Sequence, residues 1–143
     1  MAYSGRGAAD NGGRWNRPGI HAVYTSSSLS LATLEYLVNI ESNELPSDLV
    51  VIAARIPDDI EVARVDARDL PVDWRSSPSP VNLMKIGEGW LRKAETAVLF
   101  VPSAVIPEEN NILLNPAHPK FARVLIGKPT RFVFDPRIRG TRL

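Results

Sequence analysis

The chain is predicted to fold as an α+β domain built round a small split sheet. Three observations carry this. Apolar, β-branched runs of strand length occur at 49–56 and 96–101. Segments with helical apolar spacing lie at 29–39 and 82–94, and no repeat or linker divides the 143 residues. That length suffices to bury a core as a single domain, 1–143.

Taken in order, residues 1–19 are rich in Gly, Ser, Asn and Asp with no hydrophobic period, and read as irregular backbone. Trp15 argues that this stretch is ordered and packed, because an indole is out of place in a disordered polar leader. Residues 20–25 read as a strand, and Ser26-Ser27-Ser28 supplies N-caps for a helix over 29–39. On that helix Leu31, Leu34 and Val38 are expected to share one apolar face. A polar loop covers 41–48. Residues 49–56 are expected as a central strand and 60–65 as a second, half-exposed one. A proline-bearing loop over 66–80 holds a helical turn near 67–70, with Trp74 as a packing anchor. The 82–94 helix turns Met84, Trp90 and Leu91 inward; its Gly87 and Gly89 mark close packing or a break. A buried strand at 96–101, a short helix at 119–123 and a strand near 130–134 complete the domain. Residues 135–143 are expected as a loose basic tail.

Composition excludes several classes. A net charge of +1 speaks against a dedicated nucleic-acid binder. Without cysteine there is no disulfide framework and no thiolate metal site, which fits a reducing cytoplasm. The N-terminus has no apolar signal core, and no window reaches the roughly 18 apolar residues of a membrane span. The expected location is therefore cytoplasmic, with no membrane partner. Gly127-Lys128-Pro129-Thr130 lacks the upstream glycine and the Ser/Thr of a phosphate-binding loop. His21 and His118 have no metal-ligand spacing, so no metal is expected. Ser103 has no G-x-S-x-G context and no nearby His, which speaks against a serine hydrolase.

Three polar residues stand out. Arg14 lies in a glycine-flanked loop, Tyr24 near the end of a strand, and Glu35 beside the apolar face of the following helix. Burying an ionised carboxylate costs several kcal/mol unless it is paired and hydrogen-bonded. Partners open to Glu35 are Arg14, the hydroxyls of Ser26 or Ser27, or a ligand; otherwise it reaches into water from the edge of the stripe.

Gly-Gly-Arg14-Trp-Asn, Tyr24 ten residues on, Glu35 eleven after that, Val-Pro-Ser103 and Asn115-Pro-x-His-Pro together resemble the RES-domain family, toxins of bacterial RES–Xre pairs. The resemblance spans the chain from Ser4-Gly5-x-Gly7 to Phe134-Asp135-Pro136. It implies an ADP-ribosyltransferase-like split mixed sheet, and an NAD-degrading enzyme that hydrolyses or phosphorolyses the nicotinamide–ribose bond. NAD is then substrate, and no cofactor is implied. An Xre-like DNA-binding antitoxin that blocks the active site is the implied partner, with a toxin homodimer inside the complex and no direct contact of the toxin with nucleic acid.

By the same resemblance Glu35 stabilises an oxocarbenium-like ribose, and Arg14 grips the pyrophosphate or orients Glu35. Tyr24 offers a stacking face and a hydroxyl, while Ser103 hydrogen-bonds substrate or Glu35. Gly5 and Asn115 belong to the dinucleotide site. ADP-ribosyl transfer to a macromolecule and an inactive antitoxin-binding module are the alternatives. The family pattern also has an arginine-bearing strand ahead of the Gly-Gly-Arg motif, which this sequence lacks.

Overall fold

The computed structural model describes residues 2–40 and 45–138. Its centre is a four-stranded sheet of β1 (Val23–Ser26), β6 (Asn110–Leu114), β5 (Val98–Pro102) and β4 (Val62–Arg64), in that spatial order. Neighbours pair antiparallel except β4 and β5, which run parallel. A parallel pair needs a crossover, and here it carries the long helix α3 (Val81–Lys93). The fold is the expected mixed α+β domain.

Strand alternation decides which side chains meet. Leu99, Val101 and Leu113 point to one face of the sheet and pack with Trp15, Trp74 and Leu83. Val98 and Leu114 point to the other, with Val23, Ile60, Ala97 and Val124. Both faces are therefore covered, which is why β5 reads as a continuous apolar run. Tyr24 lies opposite Leu113, and Ser26 opposite Asn111. Val101 also lies opposite Asn111, so Tyr24, Ser26 and Asn111 share the Trp15 side of the sheet.

The helix α2 (Leu29–Asn39) has the expected bounds, and the Ser28 hydroxyl caps it by accepting from the Leu31 amide at 3.1 Å. Its buried face differs from expectation. Leu31 is buried, but Leu34 and Val38 are exposed. The side facing the cavity carries Ala32, Glu35, Tyr36 and Asn39, of which Tyr36 and Asn39 remain exposed. The apolar period is thus rotated away from the core, and the half-buried Glu35 faces the cavity.

Residues 2–19 are less irregular than expected, since α1 (Arg6–Asn11) forms a short helix there. The Asn16 side chain ties it down by donating to the Ala8 carbonyl at 3.0 Å. The predicted central strand at 49–56 is instead two short pieces, β2 (Val50–Val51) and β3 (Ala54–Arg55). They pair outside the main sheet, with β8 (Thr130–Arg131) and β7 (Leu125–Ile126) respectively. The backbone changes partner between them: the Ile52 carbonyl accepts from the Tyr3 hydroxyl, and the Ala53 carbonyl from the Gly127 amide. Single 3₁₀ turns occupy Ala67–Asp69 and Pro119–Arg123, as anticipated, and Trp74 is buried. Parts of two expected segments, residues 41–44 of the polar loop and 139–143 of the tail, lie outside the described residues.

Helix α3 runs unbroken through both glycines. Leu91 is buried as expected, Met84 and Trp90 are half-buried, and Leu83, Gly87 and Glu88 complete the buried face. Gly87 is there for close approach, because a Cβ on it would overlap the carbonyl oxygen of Trp15. Overpacking of this kind costs about 1–3 kcal/mol or more. Gly87→Ala should therefore lower the melting temperature by several degrees, whereas Gly89→Ala, with nothing within 4 Å of its would-be Cβ, should not. Thermal unfolding followed by circular dichroism reads both.

Candidate active site

The site is built on the sheet face that carries Tyr24, Ser26 and Asn111. Ser103 follows directly after β5, and its hydroxyl donates to Glu35 Oε1 at 2.7 Å. The direction of that proton is decided locally. The Ser103 oxygen already accepts from the Val105 and Ile106 amides at 3.1 and 3.0 Å, so its one hydrogen is left for the carboxylate. Asn111 Nδ2 donates to the same Oε1 at 2.8 Å. Its Oδ1 accepts from the Ser26 hydroxyl at 2.8 Å, which fixes the amide's orientation. Glu35 Oε2 makes no hydrogen bond among the described residues. One carboxylate oxygen is thus anchored by two donors and the other is available to a ligand.

The loop from Gly12 to Gly19 supplies the rest. Gly13 and Asn16 bond each other's backbone in a tight turn with Arg14 and Trp15 at its tip. Trp15 enters the core while Arg14 turns to the cavity. Arg14 Nη1 donates to the carbonyls of Trp74 and Ser76 at 2.8 and 3.1 Å. Its other nitrogens make no bond among the described residues. Burial draws the Arg14 pKa below its ordinary value, against the opposing pull of the Glu35 carboxylate. Arg14 and Glu35 form no direct ion pair; both line one cavity of about 990 Å³.

Tyr24 also lines this cavity, but its hydroxyl is engaged within the protein. It accepts from the Trp15 amide at 2.9 Å and donates to Asn16 Oδ1 at 2.7 Å. Only the ring face is left for a ligand, so the expected hydroxyl contact falls away. Gly13 makes room for that hydroxyl, since a Cβ there would lie 2.6 Å from it. Burial pushes the Tyr24 pKa up to about 12 against the pull of the Trp15 amide and Arg14.

Of the remaining expected site residues, Gly5 lines the cavity, in a left-handed conformation with φ of +78° and backed against Ala22 and His21. Asn115 does not. It is buried behind β6, donating to the Leu91 carbonyl at 3.1 Å and accepting from the Ala117 amide at 3.1 Å. Its role is to close the Asn-Pro turn. Asn111 is the site residue that sequence reading missed. Its position opposite Ser26 could have found it only after β6 had been assigned.

A second cavity of about 670 Å³ shares Tyr24, Ser26 and Tyr36 with the first, but no charged side chain lines it. Charged side chains therefore single out the larger cavity. Among the described residues no three or more His, Cys, Asp or Glu gather to hold a metal ion. No helix among them is long and apolar enough to cross a membrane.

An arginine in a tight glycine-flanked turn, a buried tyrosine hydroxyl and a Ser-anchored glutamate occur here in one arrangement, and residues 1–135 match the RES domain family model. The chain belongs to the RES-domain family. Toxin Res of Yersinia enterocolitica is 41% identical over 138 residues, covering 96% of this chain and 90% of that protein. The Prs ADP-ribosylating toxin of a Sphingobium species is 38% identical over 137 residues, covering 94% and 85%. The M. tuberculosis MbcT–MbcA toxin–antitoxin complex contains a chain that superposes with a TM-score of 0.75 at 16% identity, covering 97% of this chain and 80% of that one. That likeness speaks for the fold, and the RES fold is the one seen here.

Removing the Tyr24 hydroxyl leaves a buried amide and a buried amide oxygen without their partner. Tyr24→Phe should destabilise the RES domain by about 1–3 kcal/mol, measured by denaturant unfolding. The raised pKa adds a sign. Below about pH 10, the ordinary tyrosine value, the stability linked to the neutral phenol is fully present, and it is lost as pH rises through about 12. The alkaline fall in stability between those values should therefore shrink in Tyr24→Phe.

Proposed function

We propose that this RES-domain protein is the toxin of a toxin–antitoxin pair and that it depletes NAD by breaking the nicotinamide–ribose bond. The observation that carries the reading is the anchored carboxylate of Glu35, facing a cavity shared with a half-buried arginine and an open aromatic face. Nicotinamide is a cationic pyridinium while attached to ribose and leaves neutral, taking the bonding electron pair onto its ring nitrogen. No general acid is needed. What has to be stabilised is positive charge developing on the ribose, and catalysis follows from binding that state more strongly than the ground state.

Glu35 suits that task through Oε2, which can face the ribose while Oε1 is held by Ser103 and Asn111. Preorganised charge of this kind costs no rearrangement as the bond breaks. The free edge of the Arg14 guanidinium would take the pyrophosphate, for which its planar fork is matched. The ring of Tyr24 would stack on nicotinamide. Water or phosphate then attacks the anomeric carbon, yielding ADP-ribose or its 1-phosphate and releasing one proton. Its partner would be an antitoxin that covers this cavity, with an Xre-type DNA-binding region as the family resemblance implies. The M. tuberculosis complex supports an antitoxin partner.

The name of the Sphingobium relative favours a second reading, transfer of ADP-ribose to a macromolecule. The donor site would be the same and only the acceptor would differ. Incubation with NAD labelled in its adenylate portion separates the outcomes: free labelled products with or without phosphate support NAD breakdown, and label carried on protein or nucleic acid supports transfer.

Two variants test the assigned roles. Glu35→Gln should fold normally and lose about 100-fold or more in kcat for nicotinamide release. Undiminished turnover would remove Glu35 from the chemistry. Arg14→Ala should raise KM for NAD about tenfold or more, the effect of losing a charge-assisted hydrogen bond of about 1.5–3 kcal/mol. Steady-state kinetics on both decides.

A further inference from the structure

The most deeply buried charge in the described part of the domain is not in the cavity at all. Glu88, in the middle of α3, is 2% exposed. Its carboxylate takes three donors from a single residue of the Arg14 loop. The Arg17 backbone amide donates to Oε2 at 2.7 Å, Arg17 Nε reaches both oxygens at 3.1 and 3.0 Å, and Nη2 reaches Oε1 at 2.8 Å. One residue earlier in the helix, Gly87 lies against the Trp15 carbonyl with no room for a Cβ. Helix α3 therefore contacts the loop at two points, one on each side of Asn16, and Arg14 stands immediately before the first.

The pair joins a carboxylate whose side chain is 3% exposed to an arginine side chain that is 65% exposed, so only one of its two charges is taken out of water. It does fix geometry, because the planar fork admits one arrangement. The remaining loop contacts act in the same sense. Asn16 Nδ2 donates to the Ala8, Arg17 and Ile20 carbonyls, and Asn16 Oδ1 receives the Tyr24 hydroxyl. The grip of the Glu88 carboxylate on Arg17 is the one link in this set that joins the loop to α3 by side chain. Arg14 itself is held at a single nitrogen, by two carbonyls of the 74–76 turn. Where its free edge points depends on the path of the loop.

We propose that Glu88 is a positioning residue for the cavity: by gripping the amide and guanidinium of Arg17 it sets the loop so that the free edge of Arg14 faces the ligand. Resting on the NAD reading for its kinetic consequence, this assigns Glu88 to ligand binding through Arg14, and not to the bond-breaking step that belongs to Glu35.

Glu88→Gln tests it, because the amide keeps the shape but turns one acceptor into a donor facing Arg17. In that variant KM for NAD should rise about tenfold, the scale on which small misplacements act, with kcat changed less than KM. Glu88→Asp, which keeps the charge, should recover part of the loss. The decisive comparison is made in the Arg14→Ala background, where Glu88→Gln should add little to KM. A residue that merely stabilised the fold would lower apparent kcat through the folded fraction and leave KM unchanged in either background. Amide hydrogen exchange, which needs no turnover, supplies the second arm: exchange at Trp15 and Arg17 should quicken in Glu88→Gln while β5 and β6 keep wild-type protection. A folded Glu88→Gln protein with wild-type KM and unchanged loop exchange overturns the proposal. Absence of NAD turnover in the wild-type protein would instead refute the function proposed above, and the exchange comparison would then judge the loop clamp alone.

Discussion

One oxygen of Glu35 collects what separate parts of the chain bring to it. A serine just past β5 and an asparagine at the start of β6 both donate to Oε1, and α2 holds the glutamate over the sheet edge between them. An ionised carboxylate on the inward side of a helix is tolerable only with such partners. The arrangement explains why α2 sets its buried face where it does: Leu34 and Val38 lie in solvent because Glu35 and Asn39 occupy the positions toward the cavity. Packing of the helix has yielded to the site.

The opposite wall obeys a different constraint, the absence of side-chain atoms. Gly13 leaves space for the Tyr24 hydroxyl and Gly87 leaves space for the Trp15 carbonyl. The loop between them can then lie flat between β1 and α3, sending an indole into the core and a guanidinium into the cavity. Neutral hydrogen bonds to Tyr24 and charged ones to Glu88 fix it from two directions. Carboxylate and guanidinium thus face the same volume without touching, which keeps both free to meet a ligand carrying positive charge at one end and negative charge further along.

Much of this was legible in the sequence, and the failures have physical causes. Helix α2 could be placed to the residue because three serines precede a sustained helical pattern, and β5 because its run is apolar on both faces. Tyr24 and Glu35 stood out as polar groups on ordered apolar segments and Arg14 by its glycine-flanked loop, while Ser103 came in only through the family resemblance. Asn111 did not, because the pair Asn110-Asn111 looks like a loop until the pairing of β6 with β1 is known. Glu88 sits between two glycines, where a charge reads as solvent-facing, and only the tertiary approach of Arg17 buries it. Asn115 went the other way, since an Asn-Pro pair resembles a ligand loop while its amide serves the turn itself. The break of the 49–56 segment into β2 and β3 was hidden because β-branched residues favour strands without saying which partner they take.

The state of Ser103 reaches beyond the carboxylate it supports. With two backbone amides on its oxygen and its hydrogen committed to Glu35, the side chain can neither rotate nor offer an unoccupied lone pair. It behaves as a fixed dipole, not as an attacking group. Phosphonate and sulfonyl reagents that trap reactive serines will therefore leave this one unlabelled, however freely they enter the cavity.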